Sequence, residues 1–533
     1  MRPSTFTYPD TALRYPGSTQ GEAMITRLAL RSLAHRPWRS AMLLGGYALG
    51  VGVMIVLLAI GEALLTQARD ERLIGGGSIT VLPQGLDVEV MKTGGVGGLF
   101  FSIDRARFIY RQLLASPRLA PSISAVAPQI DGKLLYLRTR SGLELPVRAT
   151  GEIPSRTRAA GAAAPVAVGR WGDDEADRSW MSPTPLELYG DIDHFHLPSA
   201  ALAHRDSWAE WHYVNVLSKN GRQWAFISYI VAGDVPDGPW GGQLVITLRE
   251  QGGRTRRFTT SASARDVRFS TVSADVRVGD ASIVLREDGR YALRGRAREE
   301  GGPATIAVDL VVSPDPRAYF PGASMGDCST ADRGRSDESC AFSSGYAVAA
   351  LRAGATGTLC VERDCTYYEG AQAYHDHNWG VWRGVVWEWG ESRAGSYTLL
   401  YGRVQPPDVV TSDAAPLFLF LVDSLGFRAL FRPRTISYTD ARVIDVDGRS
   451  VRAPATAVIA DARGDDTIRV EIAIEDAIAT DTRRRLIERG DASAARRLLT
   501  PYFIQMKGRS RLSGRVGGSS IRGEGAGFFE TYR

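Results

Sequence analysis

The stretch Tyr374-His375-Asp376-His377-Asn378-Trp379-Gly380, continued by Val381-Trp382-Arg383-Gly384-Val385-Val386-Trp387-Glu388-Trp389-Gly390, decides how this chain is read. It holds two of the seven histidines and four of the eleven tryptophans. Tryptophan and tyrosine offer wide apolar walls with one polar handle each, which suits a pocket for a large apolar ligand. Histidine beside aspartate offers a proton donor or acceptor near neutral pH. As an extended strand, the segment points His375 and His377 to one face and Asp376 and Asn378 to the other. The alternative is a folding element, in which buried His and Asp satisfy backbone groups at a tight Asn-Trp-Gly corner.

The pattern His-Asp-His-x-Trp-Gly followed by a Trp-rich strand resembles the AttH-like family that includes the carotenoid hydratases. Two further stretches carry the same resemblance. Trp208-Ala209-Glu210-Trp211-His212-Tyr213 is similar to the family's opening Glu-Trp-Trp-Tyr strand, with His212 in place of the second Trp. Gly523-Glu524-Gly525-Ala526-Gly527-Phe528-Phe529-Glu530 is similar to its closing strand. The resemblance spans about residues 190–533 and implies two lipocalin-like β-barrels in tandem.

Independently of that likeness, short alternating runs punctuated by Gly, Asp and Pro fill the chain after Gly190. Gln223–Val231, Gln243–Arg249, Ala281–Leu285, Tyr291–Arg296, Thr305–Val312, Ala347–Val361, Thr398–Val404 and Thr467–Ile474 are examples. Strands at this spacing argue for antiparallel barrels or sandwiches. Asp481–Leu499 reads as a solvated surface helix. Residues 156–187, rich in Arg, Ala and Pro, read as a linker.

The N-terminal region differs. Residues 41–65 are apolar apart from Glu62, long enough to cross a bilayer, and preceded by Arg27, Arg31, Arg36 and Arg39. The positive-inside rule puts the N-terminus in the cytoplasm and the rest outside. Leu30 to Ser40, running into this helix, resembles the start of FtsX/MacB-type ABC permeases, which implies ABC transporter subunits as possible partners. No later stretch is long and apolar enough to supply the further spans of a permease. Gly46 and Gly50 form a Gly-x-x-x-Gly spacing that permits helix pairing. Lys133–Arg138 and Leu143–Thr150 read as a hairpin turning at Ser141-Gly142.

The expected fold is therefore mainly β: one N-terminal transmembrane helix, a small periplasmic α+β segment, and two tandem lipocalin-like antiparallel barrels. The divisions are 1–40, a basic cytoplasmic segment; 41–65, the span; 66–187, the permease-like segment and linker; 188–345, a first barrel; and 346–533, a second. The expected location is a bacterial inner membrane, single-pass, with the C-terminal domains in the periplasm. Cys328–Cys340 and Cys360–Cys365 read as two local disulfides, consistent with an oxidising compartment. The pairs lack the Cys-x-x-Cys spacing of a zinc site.

The formal charge is +5, nearly all from arginine spread among acids, with only Lys92, Lys133, Lys219 and Lys507 as lysines. No clustered basic face is evident, so no nucleic-acid partner is expected. No Walker loop occurs. His194 and His196 read as part of a surface strand. His375 and His377 have a spacing that a strand metal site can use, but their neighbours are tryptophans, so no metal or cofactor is expected.

Two functions remain. The first is a membrane-anchored, lipocalin-like protein that binds a hydrophobic or amphipathic small molecule or lipid beside an ABC-type exporter. The residues expected at the ligand are Glu210, Trp211, Tyr213, His375, Trp379, Trp382, Trp387, Trp389 and Arg403, where the two barrels meet. The second is a lyase or isomerase of the carotenoid hydratase type acting on an isoprenoid or lipid. His377, Asp376 and Tyr401 would then be catalytic, and the resemblance maps its His-x-Trp onto His377 and Trp379. The hydratases' later Tyr-x-Asp corresponds to Tyr401-Gly402-Arg403, where arginine replaces the carboxylate.

Overall fold

A computed structural model describes residues 35–69, 103–161, 172–181, 184–200, 202–250, 253–326, 343–382, 384–405, 416–446, 448–483 and 500–533, with Arg27, Arg31 and Ile79. The chain divides into two units, residues 1–81 with 85–97, and residues 82–84 with 98–533. The described part of the first unit is dominated by one helix, α1 (Pro37–Arg69). Its stretch Pro37–Gly61 is long and apolar enough to span a membrane, and none of it is buried by protein.

The second unit is mainly β. It opens with helix α2 (Ile103–Ala115) and the antiparallel hairpin β1 (Gln129–Arg138) and β2 (Glu144–Glu152), which turns where Gly142 adopts φ +83°. Three short helices follow: α3 (Pro154–Ala159), α4 (Glu175–Met181) and α5 (Pro185–Asp193). The region expected to be a linker thus supplies structure. Helix α5 begins with a capping box, the Thr184 hydroxyl accepting from the Glu187 amide while Glu187 reaches back. It is held to α2 through Asp191, which takes Arg107 Nε at 2.8 Å and Arg111 Nη1 at 3.0 Å. Tyr189 and Ile192 of α5 join the main hydrophobic core.

Among the described residues, twenty-one further strands follow. They are β3 (Trp208–Leu217), β4 (Gln223–Gly233), β5 (Trp240–Glu250), β6 (Thr255–Ser263), β7 (Val267–Phe269), β8 (Val276–Val278), β9 (Ala281–Leu285), β10 (Tyr291–Glu299), β11 (Thr305–Pro314) and β12 (Phe320–Gly326). Next come β13 (Ser343–Val361), β14 (Asp364–Val381), β15 (Val386–Ala394), β16 (Tyr397–Gln405), β17 (Phe418–Asp423) and β18 (Gly426–Phe431). The last are β19 (Ser437–Val446), β20 (Arg449–Arg463), β21 (Asp466–Asp481), β22 (Tyr502–Val516) and β23 (Ser519–Tyr532). All pairings among them are antiparallel, as short alternating runs with Gly and Asp turns require.

The first sheet runs β11-β13-β14-β3-β4-β5-β6-β10, and β10 pairs back onto β11, closing an eight-stranded barrel. Closure leaves these strands no open edge. The second sheet runs β18-β17-β16-β15-β23-β22-β21-β20-β19, a nine-stranded half-barrel. The expected start of a second barrel at residue 346 falls inside β13. The β13–β14 hairpin completes the first barrel, pairing with β11 on one side and β3 on the other. The second sheet begins only at Val386. The reason lies in register: β14 carries ten consecutive partners on β3, from Gln372↔Leu217 to Val381↔Trp208.

At the far tip of that hairpin Cys360 and Cys365 stand opposite each other and are disulfide-bonded. Cys328, Cys340 and nearly all of the expected helix Asp481–Leu499 lie outside the described residues.

Candidate functional site

Antiparallel pairing puts directly opposed residues on one face of the sheet and alternates faces along each strand. On β3 and β14 the register sets Glu210 against Trp379 and His212 against His377 on the inner face. It sets Trp211 against Asn378, Tyr213 against Asp376 and Asn215 against Tyr374 on the outer face. The signature stretch therefore builds two different environments, back to back.

The inner environment is a sealed cluster of ionisable groups. His375 and His377 have no exposed surface, and His212 and Glu210 are almost as buried. The last residue of α5 brings Asp193 among them, also fully buried. His375 Nε2 lies 3.0 Å from Asp193 Oδ2, and Tyr291 donates its hydroxyl to the same oxygen at 2.6 Å. His377 Nδ1 is 3.0 Å from Asp193 Oδ1, and its Nε2 is 2.9 Å from Glu210 Oε1. Those two contacts have hydrogen-bonding distance but not hydrogen-bonding direction. Glu210 also accepts from the His196 backbone amide at 2.8 Å. The His196 ring lies flat on Trp379, 3.7 Å between centroids. Gly345 makes room for Trp379, since a Cβ there would stand 2.4 Å from the indole.

Burial alone would neutralise all of these groups. It pushes the Glu210 carboxyl well above its usual range, with the charge of Asp193 adding to the effect. It pulls His212 down, and His377 down to about 3, with His212 contributing to the latter. Burial opposes ionisation of Asp193 as well, yet His375 and His212 outweigh it and hold the carboxylate well below its usual range. His375 moves up despite burial because Asp193 faces it.

The outer environment is the seam where the barrel meets the half-barrel. Tyr213 donates to Glu530 Oε1 at 2.7 Å, and Trp387 Nε1 donates to Glu530 Oε2 at 2.8 Å. Gln505 Nε2 donates to the Tyr213 hydroxyl at 2.6 Å. Deeper in the seam, Trp389 Nε1 donates to the Tyr374 hydroxyl, which donates to Asp376 Oδ2 at 2.7 Å; Asn378 holds Oδ1. Burial pushes Glu530 up, while Trp387, Tyr213 and Gln505 draw it part of the way back. Burial and then Glu530 push Asp376 up to about 7, against the Tyr374 hydrogen bond.

Around Glu530 runs a wall of half-buried aromatic rings. Trp211 meets Trp382 at 5.1 Å, Trp382 meets Trp387 at 5.8 Å, and Trp387 meets Phe503 and Tyr532 at 5.2 and 4.8 Å. These five rings are half-buried, neither sealed in a core nor fully exposed.

The residues expected from sequence thus divide. Glu210, His375, His377 and Trp379 face into the barrel, whereas Trp211, Tyr213, Asp376, Trp382, Trp387 and Trp389 face the seam. Tyr401 joins neither group; it is buried in the core of the half-barrel, stacked with Phe529. Arg403 is ion-paired with Glu388 on the neighbouring strand. His194 and His196 follow α5 rather than forming a surface strand. The surroundings of His375 and His377 hold Asp193, His212 and Glu210 as well as tryptophan. Sequence reasoning did not assign roles to Asp193, Tyr291, Gln505, Phe503 or Glu530. Glu530 lay within the closing-strand likeness, while nothing local distinguished Asp193 from its neighbour Asp191.

No protein-family model matches the chain, and no curated protein matches it. Among solved structures it is similar to a putative AttH from Nitrosomonas europaea, with 17% identity, 64% of this chain and 98% of that one covered, and a TM-score of 0.40. It is also similar to kievitone hydratase from Nectria haematococca, with 12% identity, 64% and 94% covered, and a TM-score of 0.37. A third similar structure is CghA with Sch210972, with 12% identity, 66% and 96% covered, and a TM-score of 0.38.

Proposed function

We propose that the seam binds an apolar or amphipathic unsaturated molecule and protonates it, making the chain a lyase or isomerase of the hydratase type. One observation carries the reading: a buried carboxyl, Glu530, is fixed by Trp387 and Tyr213 in a wall of half-buried aromatic rings. Burial raises the proton affinity of the Glu530 carboxyl, the direction a general acid needs. Its proton would pass to one carbon of a double bond, leaving a cation on the other carbon that the indole faces stabilise. Water then adds to that carbon, and its released proton returns to the Glu530 carboxylate. The acid missing at Arg403 is thus supplied from the last strand.

Binding without turnover is the second reading, favoured by the absence of a carboxylate at 403. Both readings share the ligand class and the tether α1, which would hold the β unit at a bacterial inner membrane. The Cys360–Cys365 bond suits a periplasmic location. Partnership with ABC transporter subunits rests on the N-terminal resemblance alone.

The test is incubation of the purified chain with an unsaturated isoprenoid in heavy water, followed by mass spectrometry. Deuterium incorporation or gain of one water, lost in Glu530→Gln while a fluorescent apolar probe still binds, is the expected result. Probe binding with no turnover in the native chain favours the second reading. Absence of both overturns the first and the second.

A further inference from the structure

The sealed cluster inside the barrel is not used by the chemistry of the seam, and its geometry is unusual for hydrogen bonding alone. His375 Nδ1 lies 3.2 Å from the Tyr213 carbonyl, which can only accept, so that nitrogen carries a proton. In a neutral ring Nε2 then presents a lone pair, and it faces a carboxylate oxygen of Asp193 at 3.0 Å. Protonation of His375 would satisfy that pair. It would not satisfy His212, whose two nitrogens are buried without any hydrogen-bond partner. Asp193 Oδ1 and both nitrogens of His377 are in the same position. Leaving such groups buried and unpaired costs roughly as much as several hydrogen bonds contribute.

The donor atoms nevertheless converge. Asp193, His212 and His375 offer ligand atoms all within 4.8 Å of one another. His212 Nδ1 stands 3.5 Å and His377 Nδ1 3.0 Å from Asp193 Oδ1. Four donors at zinc-ligand bond lengths of about 2.0–2.1 Å, arranged tetrahedrally, stand about 3.3 Å apart. An imidazole-rich set with one carboxylate and no thiolate suits a first-row divalent ion such as zinc. The outer contact of His375 has the form that a metal-bound histidine requires: its far nitrogen is held by a backbone carbonyl.

We propose that Asp193, His212 and His375 bind one divalent transition-metal ion inside the barrel. Three buried protein ligands would hold the ion and tie α5 to β3 and β14. This site lies on the opposite face of β14 from the seam and does not depend on the function assigned there.

The experiment uses the full chain in detergent, stripped by chelator dialysis and titrated with Zn²⁺ and with Co²⁺. One equivalent should bind, the Co²⁺ form should show visible absorption of a tetrahedral nitrogen–oxygen site, and the melting temperature should rise with either ion. Stoichiometric binding should be lost in His212→Gln and in His375→Gln, and retained in His194→Gln, whose ring sits on the Gly190 carbonyl outside the cluster. A native chain that takes up no Co²⁺ and gains no thermal stability overturns the proposal without reference to any variant. Metal binding that persists unchanged in folded His212→Gln and His375→Gln overturns it equally.

Discussion

His377 on β14 stands directly opposite His212 on β3, their rings 4.1 Å apart and 20° from parallel, with neither reaching solvent. Asp193 Oδ1 lies 3.5 Å from a nitrogen of His212 and 3.0 Å from one of His377, a negative charge facing both rings. Asp193→Asn should therefore destabilise the β unit by about 3–5 kcal/mol, the cost of removing one partner from a buried charged network. Urea unfolding followed by tryptophan fluorescence measures it. An unchanged midpoint would show that the cluster does not depend on this carboxylate.

Trp387 joins the aromatic wall to Glu530, whereas Tyr401 is packed in the half-barrel core. Trp387→Ala should weaken retention of an apolar fluorescent probe by about 30-fold, the usual effect of truncating a central aromatic anchor worth about 2 kcal/mol. Tyr401→Phe should leave it within about twofold. Equal effects of the two substitutions would remove the wall from the ligand site.

Burial pushes Glu391 on β15 up to about 8, against the pull of Arg393. In the unfolded chain a glutamate titrates near 4.3. Between about 4.3 and 8 the folded chain thus holds a proton that the unfolded chain releases, so stability falls as pH rises through this window. The slope from this one group is at most about 1.4 kcal/mol per pH unit. Glu391→Gln should flatten the pH dependence of the urea midpoint between about 5 and 8. A slope identical to that of the native chain would place the carboxylate in contact with water.

The Cys360–Cys365 bond clips the turn of the β13–β14 hairpin, at the opposite end from His377 and Trp379. Closing so short a loop is worth about 2 kcal/mol in the chain-entropy treatment. Cys360→Ser with Cys365→Ser should lower the melting temperature by several degrees and leave probe affinity unchanged. A parallel loss of affinity would mean that the tip and the seam are coupled.

With arginines before α1 and a β unit after it, protease added to spheroplasts should digest the chain beyond about residue 70. Complete protection of the β unit would place it on the cytoplasmic side instead.

Sequence by itself determined what depends on neighbours along the chain. Period-two alternation and Asp-Gly or Ser-Gly turns specified antiparallel strands, and the alternation on β14 specified that His375 and His377 share a face that Asp376 does not. The apolar length of 41–65 specified a helix able to span a membrane. What only the tertiary structure decided is pairing across distance. A strand carries no mark of which other strand it will hydrogen-bond, so β13 and β14 could not be assigned to the first barrel until their register with β11 and β3 was known. The same applies to Asp193, made a partner of three histidines by the docking of α5, and to Glu530, brought to Tyr213 across 317 residues. Whether a histidine is a proton donor, a ligand or a core residue depends on the few atoms within about 3.5 Å of its nitrogens, and those atoms come from elements far apart in the chain.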